Sequence, residues 1–272
     1  MLCEWEPTAD LLEFAGPKAW YCCEPSDSWN YQRDDWRAIT SLLATDEVFN
    51  HWQAAPACRV PHVTHAGPIE VIRNPDRIAR AVTIVSNAGP SHRESASAAM
   101  KLRTRFCTYK GVDLFGQRQN WETHKPHFWS AAQLPANYRG EVEGTHWASA
   151  KYDILSLYKV AICLENSQEF LYFTEKFVAA VQSGCIPVYQ AHPSVRETFL
   201  MGASWVDPAD YGFDPAKTLA AAMAQPLAEY WDANSAWLQQ PIVKATSRAG
   251  VLNHIGSLLV DKAMSRVSGL PR

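Results

Sequence analysis

The chain has 272 residues, 47% hydrophobic and 19% charged, enough to bury one large core or two smaller ones. Its formal net charge of −3 argues against a nucleic-acid surface. No apolar run approaches the roughly 20 residues of a membrane span, and no signal peptide opens the sequence. Seven cysteines, with Cys22 and Cys23 adjacent, show no metal-ligand spacing, and the odd count suits a reducing compartment.

In chain order, Lys18 to Cys23 reads as a strand ending at Glu24-Pro25, and a helix is expected near 34–43. Pro56, Pro61, Pro68 and Pro75 punctuate the next stretch, which places a linker near 67–76. His62 and His65 have no further ligands nearby and read as structural. Ala81 to Ser86 is a second apolar strand, followed by a turn over 87–92 and a helix over 93–103. Tyr109 to Gly116 gives a third strand and turn, in which Asp113 is as well read as structural as ligand-contacting. Residues 117–150 show no clean period and hold Trp121, His124, His127, Trp129, His146 and Trp147. A stretch of that kind is either an acceptor-side platform or a surface insertion.

Val160 to Leu164 is a strand buried on both faces, stopped by Glu165-Asn166-Ser167. Thr174 can cap a helix over 175–183, which Gly184 ends, and Cys185 to Tyr189 completes a βαβ unit. Further on, 204–206 reads as a short strand, 215–223 and 227–238 as helices, and 242–267 as a helical tail. Lys176 sits in a first helical turn and Arg93 at a helix start, where a cation opposes the helix dipole. Two such cations at two helix starts of one parallel sheet make a reasonable clamp for a diphosphate.

The string Tyr158-Lys159-x5-Glu165-Asn166-Ser167-x4-Tyr172-x-Thr174-Glu175-Lys176, followed by Gly184 and Ile186-Pro187-Val188, resembles the donor-site signature of family 10 glycosyltransferases, the α-1,3/1,4-fucosyltransferases. Ser86-Asn87-x5-Arg93 and Val112-Asp113-x-Phe115-Gly116 resemble further motifs of that family. The likeness covers 81–208 well and 17–75 thinly. It implies an α/β, GT-B-like architecture, two Rossmann-like doubly wound domains facing a cleft. An abridged N-terminal acceptor-side domain would span 1–75, a nucleotide-sugar domain 76–241 and a helical tail 242–272.

The activity implied is inverting transfer of L-fucose from GDP-fucose to a glycan hydroxyl. Ala19 to Glu24 resembles the family strand that carries a proposed general base, so that role falls to Glu24, with Glu4 and Glu6 as lesser candidates. Arg93 and Lys176 would hold the diphosphate and Glu175 the ribose. Asn166 and Tyr172 would fix the nucleotide-sugar, and Glu165 its sugar or base edge. The chain has no D-x-D motif, so no metal and no other cofactor is expected. The partners implied are the donor and a glycan acceptor, with homo-oligomerisation open. A soluble, bacterial-type cytoplasmic protein is expected, with peripheral membrane association open. Gln190-Ala191-His192 departs from the family pattern and puts His192 at the end of a donor-domain strand. Two rival readings stand: a transferase using another nucleotide-sugar, which that departure favours, and a nucleotide-sugar-binding protein without turnover, which the short first domain favours.

Overall fold

The computed structural model describes residues 2–3, 19–22, 47–50, 61, 63–65, 69–85, 94–118, 134–142 and 147–268. Three short strands, β1 (Leu2–Cys3), β2 (Ala19–Cys22) and β3 (Glu47–Asn50), form one parallel sheet in the order β1-β2-β3. The larger sheet is built by β4 (Ile78–Ile84), β5 (Val112–Phe115), β6 (Tyr138–Gly140), β7 (Tyr158–Ile162) and β8 (Ile186–Val188). These also run parallel, in the order β6-β5-β4-β7-β8, and Val206 adds a parallel bridge to Val188 beyond β8. Two all-parallel sheets are what an α/β, doubly wound architecture requires.

Parallel neighbours need long crossovers, and helices supply several of them. Helix α1 (Glu94–Cys107) links β4 to β5, α2 (Trp147–Leu155) links β6 to β7, and α3 (Glu175–Gln182) links β7 to β8. Strand order runs outward from β4 to one edge, then restarts at β7 on the other side. The topological switch point therefore lies between β4 and β7, where sheets of this kind bind ligands at the carboxyl ends of the strands.

Side-chain alternation sends each strand into two cores. Ala81, Val160, Ile162, Ile186 and Val188 pack on one face with Phe106, Leu219 and Ala222. Val82, Ala161 and Cys163 pack on the other with Phe177, Val181, Tyr189 and Trp237. The second face is closed by α4 (Pro193–Thr198), α6 (Leu227–Leu238) and α7 (Pro241–Ala245), and the first by α5 (Pro215–Ala224). The tail is two helices, α7 and α8 (Arg248–Ser268), broken at Thr246-Ser247. That break is tied to the segment before β4. Thr64 N donates to Thr246 O at 2.9 Å, and Arg248 N donates to His65 O at 2.8 Å. The His65 ring itself bonds Thr64 Oγ1 at 2.8 Å, a structural role. No helix among the described residues is long and apolar enough to cross a membrane.

The sequence expectations need three corrections. Strand β7 starts and stops two residues before the apolar run suggests, because Cys163 and Leu164 stay buried after the ladder ends. The aperiodic stretch 117–150 contains β6 and the start of α2. Three residues are too few to show a period, and only pairing with β5 makes them a strand. Residues 204–206 form an isolated bridge at Val206, without a regular strand.

Asp113 is structural. Its carboxylate, 7% exposed, accepts from Arg80 Nε (3.1 Å) and Nη2 (2.8 Å), from Arg139 Nε (2.8 Å) and from Tyr158 OH (3.2 Å). It thereby ties together β4, β5, β6 and β7. Burial alone would raise its pKa, but the hydrogen bonds and charge of Arg80 and Arg139 outweigh burial and hold it below the usual carboxylate range. A depressed folded pKa contributes stability above the unfolded value of about 3.9, and that stability is lost as pH falls through the folded pKa. The arginines are 40% and 48% exposed, so solvent screens part of the interaction. Asp113→Asn is expected to cost about 1–2 kcal/mol at pH 7. Urea unfolding of both proteins at pH 7 and near pH 3 checks this. A gap that does not shrink on acidification would rule the charge out as its source.

Candidate functional site

The five described candidate residues meet at the carboxyl end of β7 and the amino end of α3. After β7 the chain enters a loop, 165–173, whose apolar members are pulled inward. Phe173 is buried, stacked on Phe199 with ring centroids 5.2 Å apart and set edge-on against Tyr189. That anchor delivers Thr174 in an extended conformation (φ −111°, ψ −177°) as the N-cap of α3, where its hydroxyl accepts from Lys176 N at 3.5 Å. Leu171 takes a left-handed conformation, φ 59°, which is unfavourable for a leucine. Its N–H donates to Ser194 Oγ at 2.8 Å, so the loop is tied to the next βα turn.

Glu165 is buried at this junction, and its carboxylate is enclosed by protein donors. Oε1 accepts from Thr174 N (3.0 Å), Thr174 Oγ1 (2.6 Å) and Tyr189 OH (3.1 Å). Oε2 lies 2.9 Å from Lys176 Nζ and 2.8 Å from Thr174 Oγ1. The Lys176 ammonium also donates to Thr174 Oγ1 at 2.9 Å, and Glu175 Oε1 sits 3.9 Å away. An ammonium has three N–H donors. Two are used here, on Glu165 and Thr174, and the Lys176 side chain is 26% exposed. Burial works against the Lys176 charge, but the Glu165 and Glu175 carboxylates outweigh it and hold the pKa above the ordinary lysine value. Asn166 is half-buried, and its Oδ1 accepts from the Tyr172 hydroxyl at 2.9 Å.

Three participants carry no mark in the sequence motifs. Tyr189 reads as the end of an apolar strand, yet its hydroxyl reaches Glu165. Burial first, then Glu165, pushes that phenol well above the usual tyrosine range. Lys151 lies on α2 and is buried. Burial lowers its pKa, Glu175 acts to raise it and Lys176 to lower it, which places it in the same electrostatic neighbourhood. Arg103 on α1 is buried too and its charge opposes that of Lys176. No sequence signal distinguishes the last two, because a lone basic residue in a helix usually reads as a solvated face.

His192, at the turn that departs from the expected pattern, caps α4. Its Nδ1 accepts from Ser194 N at 3.2 Å and pairs with Ser194 Oγ at 2.8 Å, while its ring meets Phe170 edge-on. The turn and the loop after β7 are therefore coupled through Ser194. Glu24 and Arg93 lie outside the described residues, as do Glu4 and Glu6. In sequence, Glu24 follows β2 by two residues and Arg93 immediately precedes α1, so each falls after the carboxyl end of a parallel strand. A separate cavity of about 310 Å³, lined by Arg196, Trp205, Asp207, Asp210, Glu229 and Tyr230 among others, contains none of the candidate residues. Among the described residues, no group of three or more His, Cys, Asp or Glu is placed to hold a metal ion.

The chain is similar to several known proteins. An α-(1,3)-fucosyltransferase, FucT of Helicobacter pylori, is 45% identical over 49 residues, which is 18% of this chain and 10% of that protein. A crystal structure of an α1,3-fucosyltransferase with GDP-fucose is 17% identical, with a TM-score of 0.38, over 87% of this chain and 55% of that one. A UDP-forming trehalose-phosphate synthase from Burkholderia xenovorans is 13% identical, with a TM-score of 0.47, over 91% and 68%. The chain thus spans about half the length of the fucosyltransferase structure, and the curated match about a tenth of its relative. A sequence model described as "Glycosyltransferase family 10 (fucosyltransferase) C-term" matches residues 75–232, more than half of the chain. That span contains β4 to β8 and every described residue of the candidate site, and by it the chain belongs to glycosyltransferase family 10, the fucosyltransferase family.

Proposed function

We propose that the protein is an inverting, metal-independent glycosyltransferase that moves L-fucose from GDP-fucose to a glycan hydroxyl. The observation that carries this reading is the Lys176 ammonium, held at a helix start beside the switch point on a partly exposed side chain. A cation fixed where the helix dipole already favours anions is a preorganised site for a leaving diphosphate. Arg93, which immediately precedes α1 in sequence, is the second cation of that clamp. Glu175 binds ribose hydroxyls, and the Asn166–Tyr172 pair fixes the nucleotide-sugar. The Glu24 carboxylate takes the proton of the acceptor hydroxyl as that oxygen attacks the anomeric carbon. The bond from that carbon to the β-phosphate oxygen breaks, and GDP leaves with the electron pair. Attack opposite the leaving group inverts the configuration.

A second reading keeps the chemistry and changes the sugar. His192 is committed to capping α4 and braces the loop after β7, so the 190–194 turn is where donor preference would differ within the family. Titration calorimetry with GDP tests the donor class. Lys176→Ala is expected to weaken binding by about 1.5–3 kcal/mol, the range for a hydrogen bond to a charged group, with excess EDTA leaving both isotherms unchanged. Equal affinity in folded Lys176→Ala would sink the clamp, and affinity lost to EDTA would sink metal independence.

A further inference from the structure

We infer that Glu165 touches no part of the donor and instead serves as a positioning residue that aims and charges the Lys176 ammonium. The role rests on the donor-site reading above and sharpens it. The family resemblance implies that Glu165 meets the sugar or base edge, but its side chain is only 2% exposed and both oxygens are occupied by protein groups. A carboxylate so enclosed is tolerable in the interior only because each oxygen is satisfied. Four of its five close contacts involve Thr174 or Lys176, so what Glu165 organises is the first turn of α3. Tyr189 OH fixes the same carboxylate from the end of β8, which locks it between two strand ends.

The consequence for Lys176 is geometric first. A lysine side chain loses considerable rotamer freedom when its head is held. Here Glu165 Oε2 and Thr174 Oγ1, both 2.9 Å from Nζ, hold it before any ligand arrives. The second consequence concerns charge. The groups acting on Lys176 are Glu165 and Glu175, which favour its charged form, and Arg103, which opposes it. Lys151 and Cys163 also lie within its electrostatic reach. Removing Glu165 deletes the largest favourable contribution and leaves burial and Arg103 in place. The lysine then loses its proton at lower pH.

Glu165→Gln preserves shape and removes the charge. It also lifts a repulsion toward an incoming diphosphate, so affinity at neutral pH is a poor discriminator and the pH profile is the useful one. Calorimetry with GDP between pH 7 and 10 is expected to show Glu165→Gln losing affinity at lower pH than the unaltered protein. The nucleotide's own titration is common to both. A variant that tracks the unaltered protein throughout would overturn the role. In case Glu165→Gln does not fold, Lys176→Gln and the charge-neutral double variant Glu165→Gln/Lys176→Gln give an independent test, because replacing both members of a pair orphans no charge. GDP affinity in the double variant equal to or above that of Lys176→Gln supports action through Lys176. A further loss in the double variant means that Glu165 meets the nucleotide directly, and overturns the role. Absence of GDP binding by the unaltered protein would overturn the donor reading and this role with it.

Discussion

Gly184→Ala is expected to destabilise the protein by about 3 kcal/mol or more, while Gly212→Ala costs only about 1 kcal/mol. Both glycines are left-handed, φ 71° and 63°, so the backbone penalty is shared. They differ in surroundings. A Cβ at Gly212 meets nothing within 4 Å, whereas one at Gly184 would lie 2.0 Å from the Ile72 carbonyl oxygen and 2.5 Å from Arg77 Nη2. Gly184 closes α3 in a Schellman arrangement, its N–H on Val181 O at 2.9 Å and the Cys185 N–H on Ala180 O at 3.0 Å. The segment before β4 then folds over this helix end. Ile72 N donates to Gln182 O at 2.8 Å, and Arg77 donates to the carbonyls of Ile72 (2.8 Å), Asn74 (2.9 Å), Tyr158 (2.9 Å) and Ser183 (2.6 Å). A methyl group must displace this whole strap. Denaturant unfolding of the two variants measures the difference, and equal costs would show that the strap yields freely.

Glu24→Gln is expected to lower fucosyl turnover by about 10²–10⁴ with GDP affinity unchanged. The amide keeps the shape of the carboxylate and cannot accept the acceptor's proton. Glu24 follows β2, a strand of the other parallel sheet, and so sits apart in sequence from the nucleotide-binding residues it would serve. Under the proposed function, donor binding and turnover are then separable. Turnover and GDP calorimetry on the same preparation check it. Near-normal turnover would move the base to Glu4, Glu6 or elsewhere, and a parallel fall in GDP affinity would place Glu24 in the donor site.

Much of the larger sheet and of the candidate site is legible in the amino-acid sequence. The spacing from Tyr158 to Lys176, with Thr174 before and Gly184 after a short apolar helix, predicts the cap and the stop closely and the strand to within two residues. Those signals are local: a hydroxyl that reaches a backbone N–H two residues on, and a glycine that readily tolerates φ 71°. Strand β6 is not legible there, because Tyr138-Arg139-Gly140 becomes a strand only against β5. Nor is the role of Asp113, since its partners Arg80, Arg139 and Tyr158 are 33, 26 and 45 positions away.

The family, the α/β class and the set of residues gathered at the end of β7 follow from sequence, because each rests on motifs short enough for local chemistry to specify. How those residues divide their work is a matter of tertiary packing alone. Glu165 and Lys176 look alike as letters, two charged groups beside a helix start. Folding buries the carboxylate beneath Thr174 and Tyr189 and leaves the lysine side chain partly open to solvent. Which of two charges stays open to solvent depends on what packs over each, and here that is Thr174, 9 positions from Glu165, and Tyr189, 24 positions away past the end of the next strand.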